Sequence, residues 1–276
     1  MSSPLLSVRD LHISFSSLNG TFDAVRGVSF DLHREKLGIV GESGSGKSMT
    51  GRAIMRLTPR AATVEAEQLR LSDVDLLHAS EKTMEHIRGK RIGLIMQDPK
   101  FSLNPVISVG EQIAEAYRLH TRSSPPEART KAIAMLDAVQ IRDPQRVYRM
   151  YPHEMSGGMG QRIMIAMMLV SEPEILIADE ATSALDVTVR LEILNLLDDL
   201  VRKRGLGLIF ISHDLNLVRH FCDRVLIMYR GHVVESLKAG ELDQATHPYT
   251  RGLLEAMPRI HAPRRRLPVL KRDPAW

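Results

Sequence analysis

Residues 41–48 form the stretch Gly-Glu-Ser-Gly-Ser-Gly-Lys-Ser, in which a glycine and four further residues precede Gly-Lys-Ser. This is the spacing of a phosphate-binding loop, whose glycines let backbone N–H groups point inward at an anion. The apolar residues 37–40 predict a buried strand before the stretch, and residues 49–57 predict a helix whose positive N-terminal end faces the same anion. Lys47 can then reach the β- and γ-phosphates, and the Ser48 hydroxyl can ligate Mg²⁺. The simpler alternative, a flexible turn that happens to precede a lysine, leaves the flanking strand and helix unexplained. The stretch therefore predicts a nucleoside triphosphate site.

Composition narrows the class of protein. A chain of 276 residues with 43% hydrophobic and 25% charged residues suits one large α/β domain, or one with an inserted subdomain. No run of about eighteen apolar residues occurs, so we expect no membrane-spanning helix, and the first residues lack the basic and apolar segments of a secretion signal. The single cysteine, Cys222, excludes an internal disulfide and a multi-thiolate metal site.

The net charge of +4 is small, and a basic cluster lies at residues 259–272. Such a cluster can favour acidic lipid or nucleic acid, although a solvated tail is the simpler interpretation.

Apolar segments alternate with helical patterns along most of the chain. Short buried strands are predicted at residues 37–40, 91–96, 175–178 and 208–211, strands at 6–15 and 24–32, an edge strand at 68–71, and a hairpin at 225–235. Helices are predicted at residues 109–119, 129–139, 161–170 and 189–204, with a loop at 123–126. Alternating strands and helices predict a mainly parallel sheet covered on both faces.

Polar residues follow three of these strands, and functional groups gather at the carboxyl ends of strands in such folds. Asp179 can hold Mg²⁺, and Glu180 can deprotonate a water that attacks the γ-phosphate. A plain pair of surface carboxylates is the alternative. Gln97 can bind Mg²⁺ or the water, and His213 can donate a hydrogen bond to the γ-phosphate, although a lone histidine is more often structural.

A second glycine-rich turn, the signature turn, has the sequence Met-Ser-Gly-Gly-Met at residues 155–159 before an apolar helix. A serine and two glycines at a helix N-terminus provide another phosphate-binding surface. Because this turn is far from residues 41–48 in sequence, one interpretation is that it contacts ATP bound to another copy. A simple helix cap is the alternative.

These motifs, together with Ser-Ala-Leu-Asp at residues 183–186, occur in the same order as in the nucleotide-binding subunit of ABC transporters, which the chain resembles over residues 5–255. Residues 97–105, 156–159 and 247–250 resemble the oligopeptide, dipeptide and nickel importer branch. The resemblance implies an α/β P-loop NTPase fold, the ABC cassette, with a mainly parallel core sheet, an antiparallel β subdomain and a helical signature subdomain. It implies a cassette at residues 1–240, with its core at 1–97 and 171–240 and the helical subdomain at 98–170, and a C-terminal extension at 241–276.

The resemblance also implies roles for single residues. Glu180 would be the general base, His213 would contact the γ-phosphate, and Gln97 would link the metal site to the membrane subunit. Mg²⁺ would be held by Ser48, Gln97 and Asp179. ATP would contact the loop residues Gly41, Ser43, Gly44, Ser45, Gly46, Lys47, Ser48 and Met49, the partner copy's ATP would contact Ser156, Gly157 and Gly158, and Asp186 would stabilise the dimer seam. Phe15 is our choice for stacking on adenine, with Phe22 as the rival.

The resemblance implies an ATP-hydrolysing subunit of an importer that takes up peptides or a related small solute. Its partners would be two membrane permeases, a second identical or homologous ABC ATPase and, indirectly, an extracytoplasmic solute-binding protein, with no nucleic acid. It would be peripheral at the cytoplasmic face of the inner membrane. The alternatives are a nickel or metal-chelate importer, a soluble non-transport ABC ATPase, and a module that binds ATP without hydrolysis. Glu180 and His213 argue against the last.

Overall fold

A computed structural model describes residues 3–17, 20–96, 102–183 and 185–257. The chain forms two compact units, Met1–His78 with Ile209–Trp276, and Ala79–Leu208. Gln97 and the basic cluster at residues 259–272 lie outside the described residues. The predicted cassette, subdomain and extension boundaries stay predictions.

The elements are numbered in chain order. The described strands are β1 (Leu6–Ser17), β2 (Gly20–Leu32), β3 (Lys36–Val40), β4 (Ala62–Glu65), β5 (Gln68–Leu71), β6 (Val74–Asp75), β7 (Ile92–Ile95), β8 (Ile175–Asp179), β9 (Gly207–Ser212), β10 (Arg224–Tyr229) and β11 (His232–Lys238). The described α-helices are α1 (Lys47–Ile54), α2 (Glu81–Ile87), α3 (Val109–Arg118), α4 (Pro125–Ala138), α5 (Pro144–Tyr148), α6 (Gly157–Leu169), α7 (Val187–Arg204), α8 (Leu215–Phe221) and α9 (Pro248–Ala256), with 3-10 turns at Pro152–Glu154 and Ala239–Gln244. None of the described helices is both long and apolar enough to cross a membrane.

The first unit contains an antiparallel sheet in the order β2-β1-β5-β6, with β4 also paired to β1. The predicted alternation in β1 is confirmed, but it changes phase: Leu6 and Val8 are buried, and then Leu11 and Ile13. The pairing with β2 shifts register between Val8 and Leu11, where Asp10 has a φ of 49°. A register shift of this kind, in which one strand has an extra residue, is a β-bulge, and here it keeps the apolar side chains on one face of the sheet. The strand predicted at residues 68–71 is confirmed as β5, but its predicted place at the edge was wrong, because β6 pairs with β5 on its outer side.

The same unit holds a second set of strands in the order β11-β10-β3-β9. Strand β3 runs parallel to β10 and every residue of it is buried. Strands β10 and β11 form the predicted hairpin, whose turn residues Arg230 and Gly231 both have positive φ, 48° and 90°. Two successive residues of positive φ match the right-handed twist of the flanking strands.

The second unit pairs β7 with β8 in parallel and carries helices α2 to α7. The loop predicted at residues 123–126 was wrong for the two prolines, because Ser124 caps α4 in a capping box with Glu127 and the helix begins at Pro125. Pro125 occupies the first position of the helix, where its missing N–H has no partner to lose. The prolines at this position therefore begin the helix, and only the residues before Ser124 form the loop.

Candidate functional site

The phosphate loop, residues 41–48, leaves the end of β3 and enters α1. The path of its backbone requires glycine at positions 41 and 46. A Cβ at Gly41 would lie 2.1 Å from the carbonyl oxygen of Met228, and a Cβ at Gly46, where φ is 99°, would lie 2.5 Å from the carbonyl oxygen of Ala24. Such distances are far below van der Waals contact, so the glycines let the loop pack directly on neighbouring backbone.

Lys47 is the first residue of α1, and its side chain is only 5% exposed. Its Nζ donates to the carbonyl oxygens of Gly41 and Glu42, both at 2.8 Å, and lies 3.5 Å from Ser45 Oγ. A buried ammonium requires such partners, and here they hold the charge inside the curve of the loop. The cation, the helix N-terminus and the glycine-lined backbone together fit a polyphosphate.

The loop is held by the rest of the first unit. The Gly231 N–H donates to the carbonyl oxygen of Ser45 at 3.1 Å, and the Glu42 N–H donates to Tyr249 Oη at 3.2 Å. The Thr50 N–H and hydroxyl both donate to the carbonyl oxygen of Gly46, at 2.9 and 3.1 Å. In the sequence, residues 247–250 indicate only a branch of the family, and no local pattern predicts the contact of Tyr249 with the loop.

His213 follows β9 and lines one cavity of about 950 Å³ with residues 41–43 of the phosphate loop. Its side chain is exposed. The structure therefore brings His213 and the phosphate loop together within the first unit, as the sequence order predicted. Helix α9 and the residue that follows it add apolar side chains to the wall: Leu253, Ala256 and Met257.

The two candidates for adenine stacking face each other across a strand pair, because Phe15 of β1 is in register with Phe22 of β2. Phe22 is 59% exposed, whereas Phe15 is half-buried. Both rings therefore belong to one site in the sheet, and the choice between them stays a prediction.

Asp179 ends β8 in the second unit, and Glu180 follows it with a φ of 50°. The Glu180 carbonyl oxygen accepts from the N–H and the hydroxyl of Ser183, at 3.1 and 2.9 Å. A left-handed backbone at a residue other than glycine costs about 1–2 kcal/mol and often occurs at functional sites. Both residues are half-buried at the end of an apolar strand, and their proposed roles stay predictions.

The signature turn lies at the N-terminus of α6, where Ser156 Oγ accepts from the Met159 N–H at 3.4 Å. Ser156 and Gly157 are exposed. A Cβ at Gly158 would lie 2.8 Å from the side chain of Val189, in the first turn of α7, so the N-termini of α6 and α7 lie side by side. Asp186 caps α7, accepting from the N–H groups of Thr188 and Val189 at 3.1 and 3.0 Å, and it too is exposed.

Comparison with known proteins assigns a family to this arrangement. A family model described as "ABC transporter" matches residues 25–183. The dipeptide transport ATP-binding protein of Bacillus subtilis (strain 168) is 47% identical over 93% of this chain and 77% of its own length. A probable peptide ABC transporter ATP-binding protein of Sinorhizobium fredii is 50% identical over 92% of this chain and 77% of its own length.

A solved dimer of an ATP-binding cassette in a post-hydrolysis state, bound to ADP and Pi, superimposes with a TM-score of 0.75 at 25% identity, covering 85% of this chain and 98% of the other. The predicted fold class is confirmed: an ABC cassette with a mainly parallel sheet and an antiparallel β subdomain. Both the glycine-lined loop and this agreement lead to one conclusion. The chain belongs to the ABC transporter family, as an ATP-binding protein of its peptide-importer branch.

Proposed function

We propose that residues 41–49 hold the triphosphate of ATP in this ABC ATPase, with Lys47 as the central cation. The observation that carries the proposal is the buried Lys47 ammonium, which is held inside a loop whose backbone path requires glycine at positions 41 and 46. The peptide N–H groups of the loop and of the first turn of α1 would bind the phosphate oxygens, and His213 would donate to the γ-phosphate from the wall of the same cavity. Since fixed donors need no reorganisation, they stabilise charge as it develops on the phosphates.

A magnesium ion is proposed on the chemistry of the available donors. The Ser48 hydroxyl, the Asp179 carboxylate and the Gln97 amide are the oxygen ligands that Mg²⁺ prefers. When bound, the ion neutralises charge on the β- and γ-phosphates. Asp179 would act through a water molecule, and Gln97 would couple the metal site to the membrane subunit.

Glu180 is proposed as the general base that takes a proton from the attacking water. Its left-handed backbone is held by the two hydrogen bonds from Ser183, so the carboxylate projects from a defined turn. A strained residue that the surrounding turn supports is the kind of feature that catalysis uses.

Each chain carries one phosphate loop and one signature turn, so we propose that two cassettes share two ATP molecules. Ser156 and Gly157 at the start of α6 and Asp186 at the start of α7 are all exposed, which supports this arrangement. The N-terminus of a helix favours an anion such as a phosphate. Ser156 and Gly158 would contact the ATP of the second cassette, and Asp186 would stabilise the seam. The second cassette would be a copy of this chain or a homologous ATPase.

The cargo is proposed to be a peptide, because the relatives are named for dipeptide and peptide transport. Two permeases would form the pathway, with residues 97–151 as the docking surface, and a solute-binding protein outside the membrane would deliver the cargo. The chain would then work at the cytoplasmic face of the inner membrane. Co-purification of the permeases, followed by uptake of labelled dipeptides into vesicles, tests this assignment. Uptake of nickel and not of peptides would overturn it.

The test of the site compares Lys47→Ala with Glu180→Gln. We expect Lys47→Ala to lose ATP binding, and Glu180→Gln to bind ATP normally but to hydrolyse it at least about a hundredfold more slowly. ATP affinity and steady-state turnover separate the two results. Glu172→Gln is the matched control, because Glu172 also has a positive φ, 55°, and forms an exposed ion pair with Lys131. Full turnover in Glu180→Gln would remove Glu180 as the base.

A further inference from the structure

Tyr249 is completely buried at the start of α9, and its hydroxyl meets the backbone of the phosphate loop. The peptide group between Gly41 and Glu42 lies between two side chains. Its N–H donates to Tyr249 Oη at 3.2 Å, and its carbonyl oxygen accepts from Lys47 Nζ at 2.8 Å. Hydrogen bonds in such a chain polarise one another. The tyrosine hydroxyl therefore acts on the lysine through a single peptide group.

The ring of Tyr249 is held so that its hydroxyl has a defined position. It packs against Tyr229, with ring centroids 4.4 Å apart and planes at 41°. Tyr229 ends β10, which runs parallel to β3, the strand that leads into the loop. The support of Tyr249 and the start of the loop thus belong to neighbouring strands.

The N-terminus of α9 is anchored by two side chains, those of His247 and Glu235. His247 Nδ1 accepts from the Tyr249 N–H at 3.2 Å. Glu235 Oε1 of β11 accepts from the N–H groups of Thr246 and His247, at 2.7 and 3.2 Å. Pro248 occupies the first position of the helix, where it loses no hydrogen bond. Residues 247–250 therefore form a structure that aims one tyrosine hydroxyl at the loop.

We infer that Tyr249 is a positioning residue for ATP binding and hydrolysis, because it orients the Gly41–Glu42 peptide that holds Lys47. The inference rests on the proposed role of the phosphate loop. It also gives residues 247–250 a function at the nucleotide, beyond marking a branch of the family. The competing explanation is that Tyr249 only fills space in the core, with its hydroxyl satisfied by whichever N–H is nearest.

Tyr249→Phe separates the two explanations, because it keeps the ring and removes the acceptor. We expect ATP affinity, measured by isothermal titration with MgATP, to fall about three- to tenfold, as for the loss of one hydrogen bond. KM for ATP should rise by a similar factor, with a smaller change in kcat. The matched control is Tyr148→Phe, which removes a buried hydroxyl that donates to Glu111 Oε1 at 2.7 Å in the second unit. The control should lose a comparable amount of thermal stability and keep its ATP affinity.

Wild-type ATP affinity and KM in folded Tyr249→Phe would overturn the inference and leave Tyr249 as core packing. If Tyr249→Phe does not fold, 3-fluorotyrosine at position 249 retains the ring and the hydroxyl and makes the oxygen a weaker acceptor. It should weaken ATP binding in the same direction, and unchanged binding there overturns the inference. Lys47→Ala separates failure of the proposed function from failure of this inference. If Lys47→Ala binds ATP normally, the proposed function fails. If Lys47→Ala loses ATP binding while Tyr249→Phe binds ATP as the wild type does, only this inference fails.

Discussion

Two glycine-rich turns begin helices in this chain, and they differ in how far the rest of the chain packs on them. The phosphate loop before α1 is packed on backbone atoms of Ala24 and Met228 and is bonded to Gly231 and Tyr249. The signature turn before α6 exposes Ser156 and Gly157. Similar composition therefore serves two purposes. The first turn is shaped by its own chain, and the second is left accessible to another molecule.

The polar groups of the two turns show the same difference. In the phosphate loop the Lys47 ammonium is buried and meets two carbonyl oxygens at 2.8 Å. In the signature turn the Ser156 hydroxyl makes a long cap bond of 3.4 Å to Met159. A helix N-terminus with an exposed hydroxyl retains capacity for an anion. We interpret the phosphate loop as the part of the ATP site that this chain supplies for its own ATP, and the signature turn as the part that it supplies for the ATP of a partner cassette.

The sharpest test of this comparison adds one methyl group to each turn. Gly46→Ala should destabilise the chain by about 2–3 kcal/mol, because φ is 99° and the new Cβ would lie 2.5 Å from the Ala24 carbonyl oxygen. Gly157→Ala should be neutral or stabilising by up to about 1 kcal/mol, because it begins a helix and the nearest atom, of Leu185, is 4.0 Å away. Chemical denaturation of the two variants measures the difference.

Activity gives the second half of that test. Gly157→Ala should hydrolyse ATP about tenfold more slowly in spite of its stability, because the methyl group would stand where the partner's phosphate is proposed to bind. Full activity in Gly157→Ala would show that the exposed turn is an ordinary helix cap. A fully stable Gly46→Ala would show that the phosphate loop is not as closely packed as its backbone contacts indicate.

A smaller effect separates the two capping residues on the exposed surface. Asp186 makes two cap bonds, at 3.1 and 3.0 Å, whereas Ser156 makes one at 3.4 Å. We expect Asp186→Ala to cost about 1–2 kcal/mol of folding stability and Ser156→Ala less than about 1 kcal/mol. In ATP turnover, measured at a protein concentration that saturates cassette pairing, the order of the two effects should reverse, and Ser156→Ala should be the slower variant. Equal losses of stability and activity in both variants would contradict a role for Ser156 beyond capping.

The smallest effect concerns the anchor of α9, the helix whose Tyr249 hydroxyl bonds to the phosphate loop. Burial raises the pKa of Glu235, but the nearby Thr250 hydroxyl and the N–H groups of Thr246 and His247 outweigh it and bring the pKa below the ordinary 4.5. The carboxylate therefore stabilises the fold above about pH 4.5, and this stabilisation is lost as the pH falls through the lowered value.

Thermal unfolding between pH 6 and pH 3.5 checks this expectation. Glu235→Gln should be less stable than the wild type near pH 6, and the difference, below about 1 kcal/mol, should shrink as the solution becomes acidic. Glu255→Gln, which changes an exposed carboxylate on α9 itself, is the control and should follow the wild type throughout. A constant difference between Glu235→Gln and the wild type would mean that the charge of Glu235 does not anchor α9.

Much of the fold was predictable because local patterns repeat along the chain. The predictions of a buried strand before Gly41, a hairpin at residues 225–235 and a helix at residues 189–204 each depend on neighbouring residues, and each was confirmed. Errors arose where a short-range rule had two outcomes. Two consecutive prolines suggested a loop at residues 123–126, but a proline in the first turn after the capping Ser124 begins a helix equally well.

The amino-acid sequence alone determined the class of chemistry, because phosphate binding depends on glycines, a lysine and a hydroxyl at fixed spacing within eight residues. It also determined the family, through the order of the motifs. Only the tertiary structure showed that Tyr249, 207 residues from Glu42 in sequence, bonds to the loop, and that Gly41 and Gly46 pack on the backbone of Met228 and Ala24 whereas Ser156 and Gly157 are exposed. Contacts between distant segments depend on how strands and helices pack, and no local pattern of residues encodes that packing.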